Sequence, residues 1–507
     1  PVGIDAAKPP RMASRRGPSP SAAAGTAPAA APRGPVEQAA PRADPGVTYE
    51  KAGLGFLQEL PALPDPWSGD QALQDVLRRL IPGDHLAPIQ ADLSRFAHRH
   101  QEISAMAAHM ERDKPTVQHF DAFGHRIDEL RTCSSWQAMK RVAAEEGLVA
   151  IAYERRSGAY SRLHQVAKGH MFSPIGGLYG CPLAMTDGAA KCLEARQSDH
   201  EEFAEAYRHL TSRSGDEFWT SGQWMTERQG GSDVGRSAQT VASYEPGTGM
   251  YHLYGYKWFS SATDSDMTLT LARVVDGKEV VSGTKGLTCF FARVRTPDNK
   301  LNGVKIAQLK DKLGTRQLPT AELELEGTAA TVVGPIGRGI PTIADMLNIT
   351  RINNAFNATG SMSLAIRRSV QFAKARWVFG RTLAETPLQL ETLAAMVVAY
   401  RGSLQLLMEC ARLMGLTEAH PDCDDAVKRR LRLLTPLVKL YTAKIAVQVT
   451  QEAMEAHGGV GYLETSGLPG LFRDTNVLPI WEGTTNVLSV DVLRVLQETK
   501  GVALREL

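Results

Sequence analysis

The spacing of apolar residues changes twice along this chain, and that double change restricts the fold more than any other feature. From about Tyr49 to Trp219 apolar residues return at three and four, as in Leu73, Val76, Leu77, Leu80 and then Leu93, Phe96. Pro82-Gly83, Pro174 and Gly176-Gly177 punctuate this helical stretch. From Gly222 the period falls toward two. Residues 241–244, 251–256, 267–275, 287–294 and 321–325 read as short antiparallel strands, the first two joined by Pro246-Gly247-Thr248-Gly249. From about Pro341 helical spacing returns in four long runs. The first carries Met346 to Trp377 and is expected to stop at Gly380. The others carry Leu393 to Leu407, Leu431 to Ile445, and Val487 to Val495 after Thr484. Short links between such helices predict an antiparallel four-helix bundle. The expected architecture is therefore multi-domain α+β: an N-terminal all-α domain (47–221), a middle antiparallel β domain (222–340) and a C-terminal four-helix bundle (341–507).

Charge and composition exclude several classes. Lys+Arg number 57 and Asp+Glu 55, a formal charge of +2. That balance rules out binding nucleic acid or an anionic membrane through bulk charge alone. No stretch approaches the roughly 20 apolar residues of a membrane span. The six cysteines form no C-x-x-C pair and read as free thiols, with no metal site. One region departs from the average. Residues 1–46 hold 13 Ala and 10 Pro, no aromatic residue, and six basic against three acidic side chains. Such a leader has almost nothing to bury and is expected to be disordered. Its Arg-bearing, acid-poor character resembles an organelle transit peptide, against the plainer reading of an Ala/Pro-rich tether. Mitochondrial and cytoplasmic locations both follow from these readings.

Four short constellations carry candidate chemistry. Met225-Thr226-Glu227-Arg228-Gln229-Gly230-Gly231-Ser232-Asp233 places two hydroxyls around a glycine pair, where backbone could approach a ligand or adopt positive φ. On spacing alone a plain polar turn is the better reading. Lys257-Trp258-Phe259-Ser260-Ser261 offers an aromatic face with a hydroxyl beside it, or simply a sheet-core aromatic. Arg376-Trp377-Val378-Phe379-Gly380-Arg381 offers a guanidinium to a pyrophosphate, or a cation to a helix C-terminus. Leu478-Pro479-Ile480-Trp481-Glu482-Gly483-Thr484-Thr485-Asn486 sets one carboxylate among apolar neighbours before a helix. Such surroundings raise a carboxylate's pKa toward that of a general base. Thr484 there is a natural N-cap, and a capping turn is the alternative.

Taken in order, M-T-E-x-x-G-G-S-D, K-W-F-S, R-x-x-F-G and W-E-G-T-T-N resemble the acyl-CoA dehydrogenase family of flavoproteins. Lys312-Leu313-Gly314-Thr315-Arg316 and Pro319-Thr320-Ala321-Glu322-Leu323 match its middle-domain pattern, and the resemblance spans about residues 120 to 498. Within the family the chain is most similar to the alkylation-response (AidB-type) branch. The residues are Glu227-Arg228-Gln229-Gly230-Gly231-Ser232, Phe123 to Leu130, Leu309 to Gly314 and Asp491 to Leu496. That branch carries a further basic C-terminal domain linked to DNA. The chain stops at Leu507, so that domain is expected to be absent or the chain shortened, and nucleic acid is not expected as a partner.

The resemblance implies noncovalent FAD. Met225, Thr226, Gly231 and Ser232 would lie near the flavin ring, with Ser232 also near the thioester. Trp258 and Phe259 would pack at the ring, and Ser260 would bond near N5. Arg376, Phe379, Gly458 and Gly459 would hold pyrophosphate and adenosine across a subunit interface. Trp481, Gly483, Thr484 and Asn486 would complete the pocket. Arg351 matches the family's arginine near the substrate. Glu482 matches the base that removes the α proton of an acyl-CoA thioester, while the β hydrogen leaves as hydride to N5, giving a trans-2-enoyl-CoA. Residues 341–375 contain no Glu that could serve instead. Glu455 and Pro387 stand where relatives often carry Gln, which predicts a different grip on the cofactor's phosphate end. Further implications are a homo-oligomer, dimer or tetramer, and an electron-transfer flavoprotein as candidate acceptor. Two other readings are an alkylation-response flavoprotein that binds nucleic acid or sequesters acyl-CoA with little turnover, and an acyl-CoA oxidase.

Overall fold

Asp70 starts the first described helix by accepting a hydrogen bond from the Leu73 N–H, which satisfies one of the donors a helix start leaves open. The computed structural model describes residues 62–275 and 281–507. The leader, residues 1–46, and the start of the expected N-terminal domain lie outside them.

Helix α1 (Gln71–Leu80) buries Leu73, Val76 and Leu77 on one face, as its spacing demands. Helices α2 (Gly83–Ala97) and α3 (His100–Arg112) follow. Then comes an element that helical spacing does not show: strands β1 (Thr116–Phe120) and β2 (Arg126–Arg131) form an antiparallel hairpin. The Asp121 carboxylate closes its turn by accepting from the Phe123 and His125 N–H groups. The all-α expectation thus needs this one addition. Of its apolar side chains only Val117 and Leu130 pack inward, onto the β region's core, and that core lies far along the sequence. The Ile306 N–H donates to Asp128 at 3.0 Å across the same junction.

Helices α4 (Ser134–Glu145), α5 (Ala150–Glu154), α6 (Ser161–Phe172), α7 (Gly180–Glu194) and α8 (Glu201–Leu210) complete the first region. Helix α6 is buried almost all round because it packs on the later bundle. It consequently carries charges inside: Arg162 donates to Asp187 and Glu418, and Lys168 to Asp92 and Glu146.

The middle region holds β3 (Ser221–Trp224), the short α9 (Val234–Ser237), β4 (Val241–Glu245), β5 (Met250–Ser261), β6 (Met267–Val275), β7 (Leu287–Arg293), β8 (Val304–Leu309) and β9 (Thr320–Val333). Pairing runs from β6 through β4, β5, β9 and β7 back to β6, a closed ring, with β8 added to β9. Most pairs are antiparallel, but β3 and β4 both run parallel to β6, on its residues 267–270 and 273–275. The chain leaves the ring at Trp224, makes an excursion through residues 225–240, and returns along the same strand. That excursion is the glycine-bearing motif.

The last region holds α10 (Gly339–Thr342), α11 (Ala344–Ala375), the hairpin strands β10 (Trp377–Val378) and β11 (Arg381–Thr382), α12 (Pro387–Ala419), α13 (Asp425–Ala456), α14 (Leu468–Thr475), α15 (Thr485–Glu498) and α16 (Val502–Arg505). Helices α11, α12, α13 and α15 are the four expected runs. The first stops at Ala375, five residues before Gly380. Phe379 and Gly380 have φ of 50° and 77°, the pattern of a two-residue hairpin turn, so that glycine turns a hairpin and does not cap the helix. One apolar core runs through both helical regions and reaches the β region, which has a second core of its own. Among the described residues no helix is long and apolar enough to cross a membrane.

Candidate active site

Glu482 sits in the corner between α14 and α15. Its φ is +57° and that of Gly483 is +98°, so a non-glycine residue is held in the left-handed region. Such a conformation costs about 1–3 kcal/mol and persists only where the surroundings enforce it. Two side chains bond this corner. Thr350 Oγ1 on α11 donates to Glu482 Oε2 at 2.6 Å, and Lys439 Nζ on α13 donates to the Gly483 carbonyl at 2.7 Å. Neither stands out in the sequence, because each is an ordinary residue of a long helix. Glu482 is half-buried. Desolvation pushes its carboxyl pKa up, against the opposing pull of the Thr350 bond and the Arg351 and Lys439 charges.

The rest of this corner converges on the same place. Arg351 follows Thr350 on α11 and bonds Asp491 on α15 at 2.9 Å, a carboxylate it shares with Arg432. Its Nε is buried with no partner. Trp481 is half-buried with an unpartnered Nε1. Thr484 is the N-cap residue of α15, as expected, but its side chain makes no cap bond. Thr484 and Asn486 are exposed.

The two motifs of the β region lie side by side, since the Trp258 N–H donates to the Thr226 carbonyl at 2.9 Å. Beneath them Lys257 and Glu227 form a buried ion pair at 2.8 Å. Lys257 also donates to Leu271, and Glu227 accepts from the Gln239 N–H and the Thr240 hydroxyl. Burial pushes the Lys257 pKa down while Glu227 opposes it. Met225 is buried, Gly231 and Ser232 are exposed, and Gly231 lies beside Thr226. Neither Gly230 nor Gly231 has positive φ, contrary to one reading of the pair. Gly230 serves close approach instead: a Cβ there would stand 2.5 Å from Ser237 Oγ. Trp258 is half-buried with Lys310 Nζ 3.2 Å above its ring, and Phe259 is half exposed. Ser260 is fully buried, yet its Oγ has no partner. A buried hydroxyl left unbonded is unusual and points to a ligand acceptor.

The loop of residues 312–316 joins the β region to the corner. Thr315 N–H donates to Asp474 on α14 at 2.5 Å, and Gly314 lies against the Arg473 backbone where a Cβ would collide at 2.5 Å. Lys312 is pushed down to about 8 by burial, and its charge is felt at Cys181 along with that of Glu482.

Arg376, Phe379, Gly458 and Gly459 are not brought to this place. Arg376 is the C-cap of α11. At 1.5 Å per residue, the 26 positions from Thr350 put it roughly 39 Å away. Phe372 packs on His457 at 4.5 Å, which joins the hairpin to the glycine turn at that far end of the bundle. Phe379 is 99% exposed, and open space surrounds both glycines.

Three family models match the chain: the N-terminal domain of the adaptive response protein AidB over residues 62–206, and the acyl-CoA dehydrogenase middle and C-terminal domains over 222–328 and 337–497. Acyl-CoA dehydrogenase family member 11 of Caenorhabditis elegans is 46% identical over 90% of this chain and 74% of its own length. The putative acyl-CoA dehydrogenase AidB of Escherichia coli is 32% identical over 76% of this chain and 70% of its own. The crystal structure of C. elegans ACDH-11 in complex with C11-CoA superposes with a TM-score of 0.87, covering 90% of this chain and 78% of that one at 46% identity. The chain belongs to the acyl-CoA dehydrogenase family of flavoprotein oxidoreductases. Within it the protein is AidB-like, as both the resemblance and the N-terminal match have it.

Proposed function

We propose that the protein dehydrogenates an acyl-CoA thioester at Cα–Cβ to a trans-2-enoyl-CoA, with Glu482 as base. The observation that carries this reading is a desolvated carboxylate held in a strained corner by Thr350 and Lys439. A base of raised pKa is matched to a weak carbon acid. The residues present fit FAD. The unpartnered Ser260 hydroxyl, the neighbouring Trp258 and the Thr226–Ser232 excursion form a polar and aromatic platform for the ring. Lys310 occupies one face of Trp258, so the opposite face takes the stacking role. When bound, FAD supplies the hydride acceptor. Glu482 takes the α proton at its carboxylate, and its backbone N–H stabilises the charge that develops on the thioester oxygen. Arg351, tied to Asp491, lines the same corner. The binding of C11-CoA by the worm relative supports an acyl-CoA of similar kind.

Arg376, Phe379, Gly458 and Gly459 would serve the cofactor of a second copy, since their distance excludes the first. Adding acyl-CoAs of several chain lengths anaerobically to the flavin-loaded protein should bleach the flavin. Glu482→Gln should retain flavin and lose bleaching. Parental bleaching in that variant would sink the base assignment, and rapid reoxidation by oxygen would favour the oxidase reading.

A further inference from the structure

The buried lysines of this protein are treated differently by their surroundings. Lys168 and Lys257 are fully buried against carboxylates. Lys439 is equally buried, but its hydrogen-bond acceptor among the described residues is a main-chain carbonyl, that of Gly483 at 2.7 Å. An ammonium removed from water without a carboxylate bonded to it is costly, and a helix interior has no need of one. The carbonyl it grips belongs to the residue after Glu482, inside the left-handed corner.

The groups facing Glu482 show what this cation does. From α11 come the Thr350 hydroxyl and Arg351. From α7 comes the Cys181 thiol, with Lys312 of the β-region loop beyond it. From α15, Asp491 offsets the Arg351 charge at 2.9 Å and is itself bonded by Arg432. Lys439 on α13, like Lys312, forms no ion pair among the described residues, and the carboxylate its charge acts on is Glu482 itself.

We propose that Lys439 is the positioning residue of the base: its ammonium clamps the Gly483 carbonyl, holds the Glu482-Gly483 corner left-handed, and supplies the positive charge that keeps Glu482 ionised before proton transfer. This rests on Glu482 being the base. Desolvation pushes the Lys439 pKa down to about 8, so the side chain is mostly charged near neutral pH and loses that charge above it.

Two variants of the flavin-loaded full chain separate clamp from charge. Lys439→Gln keeps a donor and removes the charge; Lys439→Met removes both. The readout is acyl-CoA-driven flavin reduction across pH, with flavin absorbance and thermal unfolding measured alongside. Removing the cation raises the Glu482 pKa, so the acid limb of the profile should move to higher pH by about one unit in both variants. Lys439→Met should also lose roughly tenfold or more in limiting rate, because the corner is released. If Lys439→Met does not stay folded, Lys439→Gln carries the measurement. A lower melting temperature with the acid limb unmoved in Lys439→Gln would overturn the proposal. Glu482→Gln is the control: if it reduces flavin at the parental rate, the base assignment fails and the proposal falls with it. If it is inert and the limb is unmoved, only the role of Lys439 falls.

Discussion

Lys257 shows how much a site can depend on a residue that never reaches it. Its ammonium is fully buried beneath Thr226 and Trp258 and bonds Glu227, which in turn orders the Gln239–Thr240 backbone. Lys257→Met should destabilise the protein by about 3–5 kcal/mol in denaturant unfolding, because Glu227 is left buried and unpaired. Adding Glu227→Gln should recover part of that loss, and a double change worse than the single would contradict the pairing. Both residues stand inside the motifs that carry the family resemblance, yet nothing local tells that they touch. They are 30 positions apart and meet only because the chain leaves and rejoins the edge of β6. Thr350 and Lys439 were illegible for the same reason. Glu482, by contrast, was legible, since its apolar neighbours and the following helix start are adjacent in sequence.

At the level of elements, long helices and strands follow from periodicity, while short ones depend on what they meet. Strand β6 begins and ends where alternation does, at Met267 and Val275. The β1–β2 hairpin escapes such reading because Val117 and Leu130 are its only apolar residues that face a core. Helix α14 is likewise short, and its use is to seat the 312–316 loop through Asp474. Desolvation pushes the Asp474 carboxyl up to about 7, well above the roughly 3.9 of an unfolded aspartate. The folded state therefore holds a proton that the unfolded state has released, and this group's contribution to stability falls as pH rises from about 4 to 7. Asp474→Asn keeps an acceptor for the Thr315 N–H without the charge. Its melting temperature relative to the parent should be unchanged near pH 4 and higher near pH 8. An equal difference at both values would show that this carboxyl does not titrate in that window.

At the scale of the whole molecule, the proposed second copy would meet the far end of the bundle. Trp377, Phe379, Leu388 and Tyr462 are exposed there, a concentration of apolar surface that a lone chain seldom leaves in water. Phe379→Asp should lower the oligomeric mass seen by light scattering and weaken flavin retention together. Loss of neither would place the cofactor's phosphate end elsewhere. The order of helical, β and helical regions, the strands β4, β5, β6, β7 and β9, and the apolar setting of Glu482 were legible in the sequence, because periodicity and adjacent motifs are local properties of a chain; β3, β8 and the two hairpins were not. Tertiary structure decided which residues bond the Glu482-Gly483 corner, that the glycine motif is an excursion from one strand, and that the Arg376 group stands far from Glu482. Those facts depend on contacts between positions tens to hundreds of residues apart, which no local pattern encodes.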